Sequence, residues 1–180
     1  MKVPANYHLE YSVEDIQKSL KVLSSEISPW AEGVYQSTGQ QVLAVCILRG
    51  AVLFFADLLR SIEVTIEPTF CRTWSYSSSN NEQQKGVRVS VEDVVAEGRS
   101  ILMVDDICDT GSTLYKMQQV FKDLGAKEVK SCVLIHRLVS NAKFSPDWAA
   151  FRHKGDQWFV GYGMEDKNHY SNLSAVYSMK

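Results

Sequence analysis

Hydrophobic residues near the N-terminus recur at helical spacing. They lie between Ser12, which suits a helix N-cap, and Pro29, which suits a helix end. The residues of this series are Val13, Ile16, Leu20, Leu23 and Ile27. The pattern predicts an amphipathic helix over 12–28, followed by a shorter one over 30–38.

Further along the chain, apolar runs typical of strands alternate with segments of helical periodicity. Strands are predicted at 41–48, 64–76, 87–91, 101–104, 129–138 and 157–163. Helices are predicted at 51–62 and from about Leu114 to Leu124, with Gly125 ending the second. Strands that alternate with helices imply right-handed crossovers. We therefore expect an α/β fold, in which helices flank a central, mainly parallel twisted sheet.

Composition and charge indicate which broad classes of protein this chain can belong to. The 180 residues are 45% hydrophobic and 22% charged, as in one ordinary globular domain, and 19 basic against 21 acidic residues give a net charge of −2. This balance gives no reason to expect nucleic-acid binding. No apolar run reaches the ~18–20 residues that span a bilayer, and the N-terminus lacks a secretory pattern. The four cysteines show no short C-x-x-C spacing, so we expect reduced thiols and a cytoplasmic location.

The segment 101–117 contains the residues that are most informative about function. An apolar strand leads into the acidic pair Asp105 and Asp106, then into small and hydroxylated residues, and then into a helix. Backbone N–H groups at a helix start suit a phosphate. The two carboxylates suit sugar hydroxyls, or a Mg²⁺ ion that hydroxyls and phosphates share. The local pattern leaves a simpler alternative open, in which an acidic turn only caps its helix.

VDDICDTGST (104–113) resembles the motif that binds phosphoribosyl diphosphate (PRPP) in type I phosphoribosyltransferases. An aspartate at position 109 makes the motif similar to that of the 6-oxopurine branch of the family, the hypoxanthine-guanine phosphoribosyltransferases. The resemblance extends over most of 40–166, through CILRGAVLFFADLL (46–59), RTWSY (72–76) and QWFVGYG (157–163). It implies a single domain over 1–180. The core would span about 35–140, a small hood would form from the N-terminal segment and about 141–180, and a mobile lid would cover about 75–87.

The resemblance also implies a reaction. The family moves the 5-phosphoribosyl group of PRPP to a purine nitrogen and releases pyrophosphate, through an oxocarbenium-like transition state. The residues expected to bind PRPP are Leu48, Arg49, Gly50, Asp105, Asp106, Ile107, Cys108, Asp109, Thr110, Gly111, Ser112 and Thr113. Asp105, Asp106 and Glu165 would lie near Mg²⁺, and Asp109 would handle the proton on N7 of the base.

The base would be held mainly by residues outside this motif. Trp158 would stack on the purine, and the backbone of Phe159 would read its edge. His136 falls where the family has a lysine that donates to the 6-oxo group, and we expect Arg137 to point to the opposite face. Ser75 and Tyr76 would close over the site as part of the lid.

Simpler interpretations of these residues stay open. Trp158 and His136 would also suit a hydrophobic core, residues 165–166 a solvated acidic turn, and 77–86 an idle surface loop. Two further departures from the family concern the pyrophosphate end. Ser171 stands where the family often has an arginine, with Lys167 nearby as a substitute, and Arg49 replaces a common lysine.

We therefore expect an enzyme of purine salvage. The alternatives are a phosphoribosyltransferase for another base, and a PRPP-sensing regulator that keeps the fold. The expected partners are PRPP, a purine base and a second copy of the chain, in a homodimer or homotetramer.

Overall fold

The computed structural model describes residues 2–77, 85–91 and 94–179. In this part of the chain, three helices alternate with nine strands. The elements are β1 (His8–Tyr11), α1 (Val13–Thr38), β2 (Leu43–Leu48), α2 (Val52–Ser61), β3 (Glu67–Ser77), β4 (Lys85–Ser90), β5 (Ser100–Cys108), α3 (Ser112–Asp123), β6 (Glu128–Arg137), β7 (Trp148–His153), β8 (Trp158–Val160) and β9 (Val176–Met179). None of these helices is long and apolar enough to cross a membrane.

Six strands form the central sheet, in the order β4-β3-β2-β5-β6-β7. All neighbouring pairs are parallel except β3 and β4. The expectation of a mainly parallel sheet flanked by helices is confirmed. Because the parallel strands end at the same edge, the segments that follow β2, β5 and β6 meet there.

Apolar side chains cover both faces of this sheet. On one face, α1 and α2 contribute a cluster that includes Leu20, Ile27 and Phe54. On the other face, α3 contributes Leu114, Met117 and Phe121. These helical residues recur at spacings of three or four, so each helix turns one apolar stripe toward the sheet. The fully covered strands explain the continuous apolar runs of β2 and β5.

A second, antiparallel sheet has the order β1-β9-β8. We use the word hood for this sheet together with the loop between β8 and β9. Its three strands come from the two ends of the sequence, so the hood depends on long-range pairing. β7 falls in the range expected for the hood but pairs with β6 in the central sheet. β1, β7 and β9 were not predicted from the sequence.

The prediction of two helices separated at Pro29 is wrong. α1 continues through Pro29 to Thr38. Proline removes one helical hydrogen bond. However, Ile27, Ala31 and Val34 continue the buried stripe on both sides of it. Their burial stabilises the helix across the proline.

Two strand boundaries also differ from the predictions. β5 does not end at residue 104 but runs through both aspartates to Cys108, where it still pairs with β6. The acidic residues therefore lie on a strand rather than in a turn. At 157–163, only Trp158–Val160 form a strand, and it belongs to the hood sheet.

Candidate active site

A cavity of about 700 Å³ opens at the carboxyl edge of the central sheet. The end of β5 and the start of α3 form one side, and the end of β6, the segment before β8 and β8 itself form the other. The lining residues are Arg49, Gly50, residues 105–114, Arg137, Asp156, Gln157, Trp158, Phe159, Gly163, Met164 and Glu165. We call the first side the phosphate wall and define it as residues 105–113. The other is the base wall, which we define as Arg137 and residues 156–159. Both names refer to the ligands that the sequence resemblance predicts.

The phosphate wall includes the start of helix α3. Gly111 is the N-cap residue of α3, with φ +74°, and no side chain caps this helix start. A Cβ at Gly111 would lie 2.6 Å from Cβ of Phe144, so both the conformation and the space require glycine. Thr110 Oγ1 lies 3.0 Å from Ser112 Oγ. Hydroxyls and first-turn N–H groups thus face one point at the positive helix end, which suits an anion.

Asp105 and Asp106 lie just before this turn. Burial, together with the neighbouring carboxylate, raises the pKa of Asp105 well above its ordinary value, and burial also raises the pKa of Asp106. Asp105 Oδ1 accepts from the Asp106 N–H at 3.0 Å, and Asp106 Oδ1 accepts from the Ile107 N–H at 2.8 Å. The remaining oxygens are suited to hydroxyl donors or to a cation, either of which would favour the charged form.

These carboxylates do not form a metal cage by themselves. Among the described residues, no group of three His, Cys, Asp or Glu side chains is arranged to hold a metal ion. Mg²⁺ commonly binds through one or two carboxylates and takes its other oxygens from water and substrate phosphates. The pair therefore fits a Mg²⁺ ion whose coordination a phosphorylated ligand completes.

The loop after β2 approaches the phosphate wall closely. A Cβ at Gly50 would lie 1.9 Å from Asp106 Oδ2, so a larger residue there would displace that carboxylate. Gly163 of the hood, with φ +104°, packs on the carbonyl of Gly50, because a Cβ there would lie 2.0 Å from that oxygen. Arg49 is exposed and forms an ion pair with Glu165 at 3.1 Å. The loop therefore connects the aspartates to the hood.

Asp109 and Arg137 join the two walls. Arg137 Nε donates to Asp109 Oδ1, and the Arg137 side chain is only 9% exposed, whereas that of Asp109 is 64% exposed. The central carbon of the guanidinium, Cζ, also lies 5.0 Å from the centroid of the Phe159 ring. A buried cation thus holds the carboxylate that faces the cavity.

The expectation that His136 lines the site while Arg137 points to the opposite face is wrong, because the structure shows the reverse. Arg137 lines the cavity, while His136 is buried outside it. Burial lowers the pKa of His136, and the positive charge of Arg152 lowers it further. Neighbouring residues of a strand point to opposite faces, so an error of one residue exchanges their roles. The sequence does contain a feature that could have indicated Arg137, since it is an arginine at the end of an otherwise mainly apolar, buried strand.

A family model for the phosphoribosyl transferase domain matches residues 12–166. The chain belongs to this family. The hypoxanthine-guanine phosphoribosyltransferase of Bacillus subtilis (strain 168) is 32% identical over 170 residues, which cover 94% of this chain and 91% of that protein. The hypoxanthine-guanine-xanthine phosphoribosyltransferase of Tritrichomonas foetus is 27% identical over 172 residues, covering 94% and 90% of the two chains. These relatives confirm the resemblance to the hypoxanthine-guanine phosphoribosyltransferases.

Solved structures agree on the fold. The crystal structure of a hypoxanthine phosphoribosyltransferase from Staphylococcus aureus has a TM-score of 0.82 at 22% identity, and covers 96% of this chain and 91% of that chain. A solved hypoxanthine-guanine-xanthine phosphoribosyltransferase has a TM-score of 0.76 at 27% identity, and 96% of each chain is covered. The expectation of the type I phosphoribosyltransferase fold is confirmed.

Most residues carried over from the phosphoribosyltransferase motif line the cavity. Leu48 is an exception, since it ends β2 and packs against the core cluster. Trp158 is 61% exposed at the cavity, so it is not a core aromatic, and its Nε1 donates to the Glu165 carbonyl at 3.2 Å. Phe159 is buried beside it.

The remaining predicted residues lie at the margins. In the lid, the backbones of Ser75 and Tyr76 pair with Val87 and Gly86, while 78–84 lie outside the described residues. Lys167 and Ser171 are not among the residues that line the cavity. Lys167, with φ +47°, lies in a tight turn between Asp166 and His169, whose backbones exchange hydrogen bonds.

The sequence interpretation missed the contribution of the segment between β7 and β8. Asp156 and Gln157 both line the cavity. Nothing local in KGDQ (154–157) indicates a site, because its position depends on the pairing of β7 with β6 and of β8 with β9.

Proposed function

We propose that this enzyme transfers the 5-phosphoribosyl group of PRPP to hypoxanthine, guanine or both, giving the nucleoside 5′-monophosphate and pyrophosphate. One observation carries the proposal. A helix-start anion site, a cavity-facing carboxylate paired with a buried arginine, and an exposed tryptophan share one cavity. The two relatives described above are a hypoxanthine-guanine-xanthine and a hypoxanthine-guanine phosphoribosyltransferase.

The phosphate wall would hold the phosphorylated sugar. The 5-phosphate would bind at the start of α3, where Thr110, Ser112 and Thr113 supply hydroxyls and backbone N–H groups. Asp105 and Asp106 would accept the ribose hydroxyls and, with Glu165 nearby, hold Mg²⁺. When bound, Mg²⁺ would neutralise the charge that develops on the leaving pyrophosphate. Gly50 leaves the backbone of its loop close to Asp106, where the pyrophosphate would lie.

The base wall would align the purine. Trp158 would stack on one face of the ring, and the Phe159 backbone would read its edge. Arg137 lines the cavity in place of the predicted His136, and would donate an N–H group to the 6-oxo oxygen. Asp109 would accept the proton from N7 as the new glycosidic bond forms, which is general base catalysis.

Arg137 favours a 6-oxopurine over adenine. An N–H donor matches a carbonyl oxygen, whereas the 6-amino group of adenine would face it with another donor. The alternative of a different base depended on His136, which lies outside the cavity. The alternative of a PRPP-sensing regulator leaves Asp109 without a role, although this carboxylate faces the cavity and is paired.

Closure of the lid over the site and assembly into a homodimer or homotetramer are part of the same proposal. So is a cytoplasmic location, which suits enzymes whose substrates are free nucleobases and PRPP.

The test is a substrate panel. The purified protein is incubated with PRPP, Mg²⁺ and one base at a time, from hypoxanthine, guanine, xanthine, adenine and uracil, while pyrophosphate release is followed. We expect release with hypoxanthine or guanine, accompanied by the matching nucleoside monophosphate. Release with adenine or uracil alone would contradict the base assignment. A protein that binds PRPP but releases no pyrophosphate with any base would instead support the regulator.

A further inference from the structure

The segment 154–157 connects β7 to β8, and two of its carbonyls hold Arg137. Arg137 Nη1 donates to the Gly155 carbonyl at 2.5 Å, and Nη2 donates to the Gln157 carbonyl at 3.0 Å. Together with Nε, which donates to Asp109, all three guanidinium nitrogens are engaged. The orientation of this buried cation is therefore set largely by the backbone of the segment.

The segment is itself held by two side chains. Gln157 Oε1 accepts from His153 Nε2 at 2.9 Å, and His153 Nδ1 lies 3.2 Å from the Tyr11 hydroxyl of the hood. The imidazole is 8% exposed and packs edge-on against Phe159, with ring centroids 4.9 Å apart. His153 is thus fixed from three sides.

The backbone at Gly155 allows this arrangement. Its φ of +133° is one that side chains rarely permit, and a Cβ there would lie 2.2 Å from Gln157 Oε1. Gln157 can consequently turn its side chain back to His153 while its carbonyl faces Arg137. The hydrogen bond between His153 and Gln157 therefore joins the end of β7 to the end of the segment.

We propose that His153 and Gln157 are positioning residues for the base site. They fix the carbonyls of residues 155 and 157, these carbonyls fix Arg137, and Arg137 in turn meets both Asp109 and the 6-oxo group of the purine. This inference rests on the proposed function for its kinetic consequences, but the structural link from His153 to Arg137 does not require turnover.

The structural link is tested by exchange of the Arg137 Nε proton with solvent, followed by nitrogen-15 NMR. The signal is assigned by its loss in Arg137→Lys. Two variants break the link, His153→Phe, which keeps an aromatic ring against Phe159, and Gln157→Ala. We expect exchange roughly 10-fold faster in both, because the carbonyls of residues 155 and 157 are no longer held in place and the guanidinium can move away from Asp109. Gln36→Ala is the matched control, since it removes an amide that donates to Glu32 on the exposed surface of α1.

Steady-state kinetics test the consequence for the reaction. We expect kcat/KM for hypoxanthine or guanine to fall roughly 10- to 100-fold in both variants, with KM for PRPP unchanged, because misplacement affects only the base end. A general loss of structure would change both substrates together. In an Arg137→Ala background, His153→Phe should have no further effect on kcat/KM for the base, since it acts through Arg137.

The outcomes separate this inference from the proposed function. Unchanged proton exchange in both His153→Phe and Gln157→Ala would overturn the link, whatever the activity. An equal kinetic loss with and without Arg137 would overturn the positioning role. If the native protein released no pyrophosphate while exchange accelerated as expected, the proposed function would fail and the structural link would stand.

Discussion

The two walls of the cavity are built in different ways. The phosphate wall is one continuous stretch, in which the end of β5 leads through residues 109–111 directly into α3. The base wall combines the end of β6, a connecting segment and a hood strand that pairs with the C-terminal β9. A local motif therefore fixes the first wall, whereas the second depends on contacts between residues far apart in the sequence.

This difference separates the two parts of the proposed chemistry. The phosphate wall would bind a substrate part that every phosphoribosyltransferase shares, so a rigid local motif is sufficient for it. The base wall would select among purines, and its residues come from elements that can change without disturbing β5 or α3. We expect substitutions in one wall to alter one substrate's binding selectively.

Asp109 is the point at which the two walls meet, and its replacement should have the largest effect. In Asp109→Asn, kcat should fall about 10²- to 10⁴-fold, because an amide cannot accept the N7 proton. The Kd for PRPP, measured by calorimetry, should stay nearly unchanged, since the anion site and both upstream aspartates are retained. Unchanged kcat would reject the role of Asp109 in proton transfer.

Gly111→Ala should damage the phosphate wall selectively. The substitution places a Cβ at φ +74° and against Phe144, so the helix start must shift. Restoring the native helix start on binding would cost about 1–3 kcal/mol of backbone strain, so PRPP affinity should fall by roughly 5- to 150-fold. Calorimetric titration with PRPP measures the change, and thermal unfolding shows whether the fold is kept.

Gly33→Ala is the matched control for that change. Gly33 lies within α1, and a Cβ there would meet nothing within 4 Å. Alanine favours helix over glycine by up to about 1 kcal/mol, so this variant should be as stable as the native protein or more stable. Equal PRPP affinity in Gly111→Ala and Gly33→Ala would show that the helix start does not hold the phosphate.

Trp158→Ala should damage the base wall selectively. Stacking on an aromatic side chain contributes about 1–3 kcal/mol per base, which corresponds to a loss of roughly 5- to 150-fold in kcat/KM for the purine. The KM for PRPP should change little. Trp158→Phe keeps a ring at this position and should retain most of the activity. A parallel loss for both substrates in Trp158→Ala would mean that Trp158 supports the hood instead.

The contrast between a local motif and long-range contacts also explains which parts of the site could be predicted from the sequence. Every residue from Asp105 to Thr113 lines the cavity, because the motif is contiguous and the strand and helix that flank it follow from local periodicity. Their binding of PRPP stays a prediction. The base end was misassigned at His136 and Arg137, since a register error of one residue moves a side chain to the other face.

Longer-range effects account for the other errors. The helix break predicted at Pro29 was overridden by burial of Ile27, Ala31 and Val34 against the sheet. β1 and β9 are short, and their pairing joins the two ends of the chain, so no local pattern indicates a hood sheet. The roles of His153 and Gln157 become visible only when the connecting segment is placed beside Arg137.

The smallest expected effect concerns the attachment of the hood to the central domain. Tyr162, just after β8, donates its hydroxyl proton to Asp57 Oδ2 of α2 at 2.7 Å. Tyr162→Phe removes this hydrogen bond and should lower the free energy of unfolding by about 1–2 kcal/mol, measured by denaturant titration. Tyr35→Phe, on the exposed surface of α1, is the matched control and should leave stability unchanged.

The pH dependence of this difference identifies its cause. Burial raises the pKa of Tyr162, and the hydrogen bond to Asp57 raises it further. In the unfolded chain, a tyrosine titrates near its ordinary pKa of about 10, so the unfolded state loses this proton first as the pH rises. The stability advantage of the native protein over Tyr162→Phe should therefore be constant below pH ~10 and shrink above it. A difference that does not change between pH 8 and 11 would show that packing, rather than the protonated hydroxyl, attaches the hood to α2.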